Sequence, residues 1–256
     1  MTKYKCRLKN NLFFIILSIF LVSCASREDV VYFQNAKDFE TIVDTDTFSP
    51  NFKIDDIVSI HVSAYDMEAT KPFNLVKGTS EFGRPVELDY LIDKDGNIDF
   101  PILGKVKLLG LNPEEAKQLL REKLKDYLKD PIINIRIKNF RVTVLGEVNR
   151  PGTYRIEGER ITVLEALGLA GDLRIKGERK NVLVIRDFNG TKTYTRIDLT
   201  SKEFVKSPVY YLTQNDVVYV EPNQSAISSS RLDNRASIAI SIASTIITSV
   251  VIILTR

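Results

Sequence analysis

The chain of 256 residues is 44% hydrophobic and 27% charged. This composition is ordinary for a folded protein and excludes a chain that is disordered over most of its length. Its formal net charge is +3, but four basic residues and no acidic ones precede the first apolar run. The remainder is nearly neutral and gives no electrostatic reason to bind nucleic acid. Both cysteines, Cys6 and Cys24, lie in the first tenth of the chain, so the rest excludes disulfides, cysteine zinc sites and cysteine nucleophiles.

The N-terminus has the pattern of a secretory signal, a basic segment followed by an apolar run over residues 12–21 that is short for a membrane span. Leu21 stands three positions before Cys24, and this spacing resembles the bacterial lipobox. We therefore predict a lipoprotein signal peptide over residues 1–23 and a diacylglycerol on the sulfur of Cys24, whose acyl chains hold the protein to membrane lipid. Ala25 follows in place of aspartate, which favours sorting to the outer membrane.

Residues 24–50 are polar and weakly periodic and predict an extended lead-in. The next segment predicts a strand, a hairpin with an aspartate–glycine turn, a helix capped by Asn112 and Pro113, and an isoleucine-rich strand. These elements predict a first domain over residues 51–139.

A second domain is predicted over residues 140–222. Its strands alternate with turns rich in Gly, Pro and Asn, and Thr162 caps a short helix that stops at Gly168. A short helix across a mixed sheet of four or five strands is the β-grasp plan, so the predicted fold class of the whole body is α+β.

The C-terminal residues predict a linker over residues 223–236 and a transmembrane helix over residues 237–255. No charged residue occurs from Ser237 to Leu254, a length of about 27 Å in a helix. Hydroxyl side chains recur on one helical face of this segment, at Ser237, Ser241, Ser244, Thr245 and Thr248. Such a face predicts either a wet lumen or contact with neighbouring helices in a ring. The alternative is a simple tail anchor that tolerates these hydroxyls.

Motifs for catalysis or metal binding are not found in the sequence. His61 is the single histidine and lies in an alternating strand, without a second His or a Cys beside it. Neither a nucleophile elbow nor a P-loop occurs, so we predict no enzyme activity, no metal and no cofactor. Five tyrosines offer stacking faces for sugars or packing in the sheet: Tyr154, Tyr194, Tyr210, Tyr211 and Tyr219.

Two groups of residues resemble the Wza-type polysaccharide export proteins. Residues 52–62 and 98–104, with Asp130-Pro131 before the isoleucine-rich strand, are similar to the polysaccharide export domain of that family. The motif Gly-Glu-Val-x-Arg-Pro-Gly is similar to the soluble-ligand-binding β-grasp (SLBB) domain, through Gly146, Glu147, Arg150, Pro151 and Gly152. The glycines and the proline of this motif suit a strand end and a turn, so we expect a structural role for them.

The resemblance implies an outer-membrane lipoprotein with its body in the periplasm, acting in a porin-like ring that is commonly of eight copies. The C-terminal helices of such rings form an α-helical barrel through which capsular polysaccharide or exopolysaccharide passes without catalysis. The usual partner is an inner-membrane copolymerase with a tyrosine kinase. This chain departs from the family at Asp55, where glycine is usual, and in having one SLBB domain where larger members have two.

Two other functions remain open from the residues alone. The first is a monomeric envelope lipoprotein that binds glycan or a soluble ligand through its β-grasp domain. The second is a subunit of a secretion or adhesion system that uses the small domains as oligomerisation surfaces.

Overall fold

The computed structural model describes residues 27–38, 48–80, 82–83, 85–188, 190–231 and 234–255. The predicted signal peptide and the lipidation residue Cys24 lie outside these ranges. Two domains follow one another, and we call them the N-terminal domain (residues 48–138) and the C-terminal domain (residues 140–222).

The N-terminal domain combines short strands with one long helix. Its elements in chain order are β1 (Ile57–Ser63), α1 (Met67–Thr70), β2 (Val76–Thr79), β3 (Pro85–Glu87), β4 (Asp89–Leu91), β5 (Asn97–Phe100), β6 (Gly104–Lys107), α2 (Pro113–Leu124) and β7 (Ile132–Ile137). Strand β1 lies between β4 and β7 and pairs antiparallel with both, while β2–β3 and β5–β6 form separate antiparallel pairs.

The aspartate–glycine turn forms as predicted, but the predicted hairpin does not. The Gly96 amide donates to the Asp93 carbonyl at 2.9 Å, and Gly96 takes a φ of +83°. The strands on either side belong to different sheets, because β4 pairs with β1 and β5 pairs with β6. The aspartate–glycine pair therefore predicted the turn correctly, but it did not predict which strands pair with each other.

Helix α2 begins as its capping residues predict. The Asn112 side chain accepts from the Glu115 amide at 3.0 Å, and the Glu115 carboxylate accepts from the Asn112 amide at 2.9 Å. The buried face of α2 carries Ala116, Leu120 and Leu124, which join one hydrophobic core with the inward residues of β1 and β7.

The C-terminal domain is built on a five-stranded sheet. Its elements are β8 (Arg141–Gly146), β9 (Gly152–Arg155), β10 (Ile161–Thr162), α3 (Val163–Leu169), β11 (Gly177–Phe188), β12 (Thr191–Ile197), β13 (Tyr211–Leu212) and β14 (Val217–Pro222). The strand order is β12-β11-β14-β8-β9, in which β14 and β8 are parallel and the other neighbours antiparallel; β10 pairs separately with β13.

Helix α3 contributes to the core on one face of this sheet. Thr162 and Glu165 form a capping box at its start, and its Val163, Ala166 and Leu167 are buried with the inward valines of β8, β11 and β14. The opposite face of the sheet carries alternate residues of the same strands and stays half-exposed or exposed.

The lead-in is attached to the C-terminal domain. The amides of Phe33 and Gln34 donate to the carbonyls of Leu199 and Thr200 at 3.3 and 2.7 Å. The ring of Phe33 stacks on Phe204 with centroids 5.3 Å apart. Residues 27–38 therefore form a strap across this domain, which the weak periodicity of the sequence does not reveal.

The predicted fold class ended with a transmembrane helix over residues 237–255, and this part of the prediction is wrong. The end of the chain contains α4 (Gln224–Arg231), within the predicted linker, and α5 (Asn234–Thr255). Among the helices that the structure describes, none is both long and apolar enough to cross a membrane. The prediction rested on an uncharged run rich in Ile, Val and Ala, and serine and threonine also recur through that run.

Candidate functional site

The SLBB-like motif forms the connection between β8 and β9. Gly146 has a φ of +90°, and a Cβ at this position would collide with the carbonyl oxygen of Val220. The glycine therefore permits the close parallel approach of β8 and β14. Glu147 is held through its backbone, since its amide donates to the Val220 carbonyl at 3.0 Å and its carbonyl accepts from the Arg174 amide at 2.9 Å.

The next motif residues bind the end of α3. The Arg150 guanidinium donates to the Leu169 carbonyl at 3.1 Å, and the Arg150 amide donates to the Ala170 carbonyl at 2.8 Å. A cation beside the last carbonyls of a helix is favourable because it offsets the helix dipole. Pro151 and Gly152 then lead into β9, where the Tyr154 hydroxyl donates to the Arg150 carbonyl.

A tight turn leads into β1 of the N-terminal domain. Asp55 has a φ of +66°, and the Asp56 Oδ2 accepts from the Lys53 amide at 2.8 Å. The Asp56 side chain is fully buried, and its Oδ1 has no hydrogen-bond partner among the described residues. Burial raises the pKa of Asp56 to about 6.

The same turn leads into β14 of the C-terminal domain. Asn215 has a φ of +65°, and the Asp216 Oδ2 accepts from the Thr213 amide at 2.8 Å. Here the buried carboxylate is fully used, because Arg186 donates to both oxygens, with Nη2 2.8 Å from Oδ2 and Nε 3.2 Å from Oδ1. The Thr213 hydroxyl donates to Oδ1 at 3.0 Å.

Lys53 joins the two turns across the domain boundary. Its ammonium donates to the Thr213 hydroxyl at 2.9 Å, the Asp187 carbonyl at 3.2 Å and the Gln214 carbonyl at 3.3 Å. Burial lowers the pKa of Lys53, an effect that the nearby Asp216 carboxylate opposes.

Two amide side chains complete the junction. The Asn139 Oδ1 accepts from the Ile57 amide at 2.9 Å, while its Nδ2 donates to the Asp55 carbonyl at 2.9 Å. The Gln214 Oε1 accepts from the Arg141 amide at 2.7 Å, and its Nε2 donates to the Asn139 carbonyl at 2.7 Å. Asn139 thus binds the N-terminal domain through its side chain and the C-terminal domain through its carbonyl, and both amide side chains use donor and acceptor together.

Three hydroxyl groups on the polar face of α5 donate to carbonyls of the same helix. Ser244 and Thr245 donate to the Ser241 carbonyl at 2.8 and 2.9 Å, and Thr248 donates to the Ser244 carbonyl at 2.7 Å. The side chain of Ser237 lies outside the described part of the chain. Because these hydroxyl protons bond to the helix's own carbonyls, the side chains present small and nearly apolar surfaces to a neighbouring molecule.

The tyrosines divide between packed and exposed positions. Tyr211 stacks on Phe48 at 4.7 Å between centroids and meets Tyr210 edge-on at 5.1 Å. Tyr219 is half-buried on β14, whereas Tyr194 on β12 is 65% exposed.

No group of three or more His, Cys, Asp or Glu side chains within the described ranges is arranged to hold a metal ion. His61 is used in the N-terminal domain, where its Nδ1 lies 2.6 Å from Glu87 Oε1.

Comparison with known proteins defines the class of protein. The polysaccharide biosynthesis/export protein family matches residues 50–138, and the SLBB domain family matches residues 140–220. The chain therefore belongs to the polysaccharide export proteins, with an export domain followed by an SLBB domain, and the family predicted from the motifs is confirmed.

Two individual proteins are similar to part of this chain. The EPS I polysaccharide export outer membrane protein EpsA of Ralstonia nicotianae is 31% identical over 77 residues, which are 29% of this chain and 20% of that protein. EpsA of Ralstonia solanacearum is 30% identical over 77 residues, with the same coverage. The aligned region thus spans about a fifth of the length of these relatives.

Proposed function

We infer that this chain is a subunit of an outer-membrane polysaccharide export channel that acts by assembling into a ring, as a passive conduit without catalysis. The observation that carries the inference is the succession of an export domain and an SLBB domain, which together occupy most of the described chain. Relatives that share part of this sequence are outer-membrane export proteins. The exported chain is a capsular polysaccharide or exopolysaccharide, and the inner-membrane copolymerase with its kinase is the proposed partner.

Lipidation at Cys24 is the proposed means of attachment, with the body in the periplasm. Arg27 begins the strap only three residues after Cys24, a reach of at most about 10 Å. The strap packs on the C-terminal domain, and α4 leaves the same domain, with Lys176 Nζ 2.8 Å from the Ser229 hydroxyl. Because the strap joins Cys24 to the C-terminal domain over so short a reach, this domain is proposed to face the membrane.

The hydroxyl face of α5 is the proposed contact between neighbouring copies. Ser244, Thr245 and Thr248 keep their hydroxyl protons on carbonyls of their own helix, which leaves a narrow surface around Ser241 that a second helix can approach closely. The motif residues 146–152 are proposed to maintain the domain shape and not to contact sugar.

The test is complementation of a strain that lacks the gene. Loss of the gene should abolish surface polysaccharide, and the wild-type chain should restore it. Cys24→Ala should fail to restore it, because the protein is then neither lipidated nor held at the membrane. Cys6→Ala is the matched control, because Cys6 lies within the predicted signal peptide. This variant should restore export fully. Normal surface polysaccharide in the strain without the gene contradicts the proposed function.

A further inference from the structure

A groove opens on the outside of the domain junction. It lies where the end of β7 meets the start of β8, and its volume of about 440 Å³ falls within the usual range of ligand sites. The residues that matter for its chemistry are Asp89, Lys138, Arg141, Thr153 and Arg155. Of the seven lining residues only Ile57 is apolar, so the groove does not have the apolar centre of a protein interface.

The positive charge of this groove is not neutralised within the part of the chain that the structure describes. The Arg155 guanidinium donates to the Lys138 carbonyl at 2.8 Å, and the Arg141 Nε donates to the Asn215 side-chain oxygen at 3.1 Å. Neither partner is charged. The one carboxylate in the lining, Asp89, is already paired with Lys77 at 3.0 Å. Three exposed cations therefore share the groove without a free counter-charge.

The sheet register places two of these cations face to face. Arg141 on β8 is the direct cross-strand partner of Arg155 on β9, and β9 is the edge of the sheet. Like charges directly opposite destabilise a strand pair, so local stability does not explain this choice of residues. The next pair on the same face is Thr143 and Thr153, whose hydroxyls lie 3.0 Å apart.

The arrangement has the chemistry to recognise an acidic sugar. Each of the two guanidinium groups presents a planar fork of N–H donors that matches a carboxylate, and a nearby lysine adds a third positive charge. The threonine hydroxyls beside them can exchange hydrogen bonds with sugar hydroxyls. We propose that this cationic groove (Lys138, Arg141, Thr153 and Arg155) binds carboxylate-bearing sugar residues of an acidic polysaccharide. The proposal rests on the proposed function and specifies the class of glycan that the chain handles.

The direct test is calorimetric titration of the full chain, extracted in detergent, with an oligogalacturonate of defined length. A neutral maltooligosaccharide of the same length is the control ligand. The wild type should bind the acidic oligomer, more weakly as salt rises, and should not bind the neutral one. Arg141→Gln with Arg155→Gln should weaken binding about tenfold, because two guanidinium–carboxylate pairs are removed. Arg121→Gln, at an exposed position on α2, should change nothing.

Folding of the variants is controlled separately. Removing the like-charge pair should leave the melting temperature unchanged or higher. If the double variant is misfolded, Arg155→Lys serves instead, because it keeps the charge but loses the fork and should weaken binding by a smaller factor. The proposal is overturned if the wild type does not bind oligogalacturonate, or if the folded variants bind it as tightly as the wild type. It is also overturned if the double variant binds normally but loses its oligomeric state, since the groove then faces another copy of the chain.

The export assay distinguishes this proposal from the proposed function. If loss of the gene abolishes surface polysaccharide while the double variant exports and binds like the wild type, the groove proposal alone fails. If loss of the gene leaves surface polysaccharide unchanged, the proposed function fails, and the titration still decides whether the groove recognises carboxylates.

Discussion

The turn at residues 53–56 before β1 and the turn at residues 213–216 before β14 have the same backbone and different electrostatics. In both, the third residue has a positive φ and the fourth is a buried aspartate that accepts from the amide of the first. Asp216 is neutralised by Arg186, whereas Asp56 keeps an oxygen without a hydrogen-bond partner among the described residues and has a raised pKa. The same turn therefore uses a buried aspartate as the amide acceptor in both domains, but only the C-terminal domain pairs that carboxylate with an arginine.

The largest effect should follow from Asp216→Ala. Arg186 would lose its counter-charge and the Thr213 amide its acceptor, so we expect the free energy of unfolding to fall by about 3 kcal/mol. Urea unfolding followed by circular dichroism measures this, with the exposed Asp95→Ala as the control. A loss below about 1 kcal/mol would mean that the ion pair is not what completes this turn.

Asp56→Asn should change the pH dependence of stability. The pKa of Asp56 is about 6 in the folded protein against an ordinary 3.8, so the folded state binds this proton more readily. The contribution is fully present below about pH 4 and is lost as the pH rises through about 6. The stability of the wild type relative to Asp56→Asn should therefore fall by about 2–3 kcal/mol between about pH 4 and about pH 7.5. Unfolding at several pH values tests this, and a difference that does not vary with pH would contradict the buried, unpaired carboxyl.

Lys53→Met should weaken the coupling between the two domains. Three hydrogen bonds across the boundary are lost, and we expect about 1–2 kcal/mol of destabilisation because methionine preserves most of the apolar stem. Calorimetry should show the domains unfolding at more widely separated temperatures. Lys107→Met, at an exposed position on β6, is the control. Unchanged coupling would show that Asn139 and Gln214 suffice to hold the junction.

The smallest effect is expected from Asp55→Gly and Asn215→Gly. Glycine tolerates the positive φ without strain, so Asp55→Gly should stabilise by about 0.5 kcal/mol at most. Asn215→Gly should gain less, because the Asn215 side chain accepts from the Arg141 Nε. Thermal unfolding of both variants compares them, and equal gains would show that this hydrogen bond contributes nothing.

Local signals in the sequence predicted local structure well. Asn112, Pro113 and Glu115 marked the start of α2, and Thr162 marked the start of α3, because capping depends on neighbouring residues alone. The motif glycine Gly146 was expected to have a structural role, and it meets β14 because of a parallel pairing with residues far along the chain.

The remaining features depend on contacts between distant segments. The side chain of Lys53 crosses a domain boundary, and β5 pairs with β6 and not with β4. The strap at residues 27–38 binds through backbone amides and through single side chains such as Phe33, and neither kind of contact produces a periodic pattern in the sequence. The charged register of Arg141 and Arg155 requires knowledge of the strand pairing before the two residues can be seen as neighbours.

Ring assembly is tested by the mass of the detergent-extracted, lipidated protein, measured with and without residues 234–256. We predict a discrete ring of several copies that loses stability when α5 is removed. A monomer at both lengths would contradict the channel and would favour an anchored module that binds glycan or a soluble ligand.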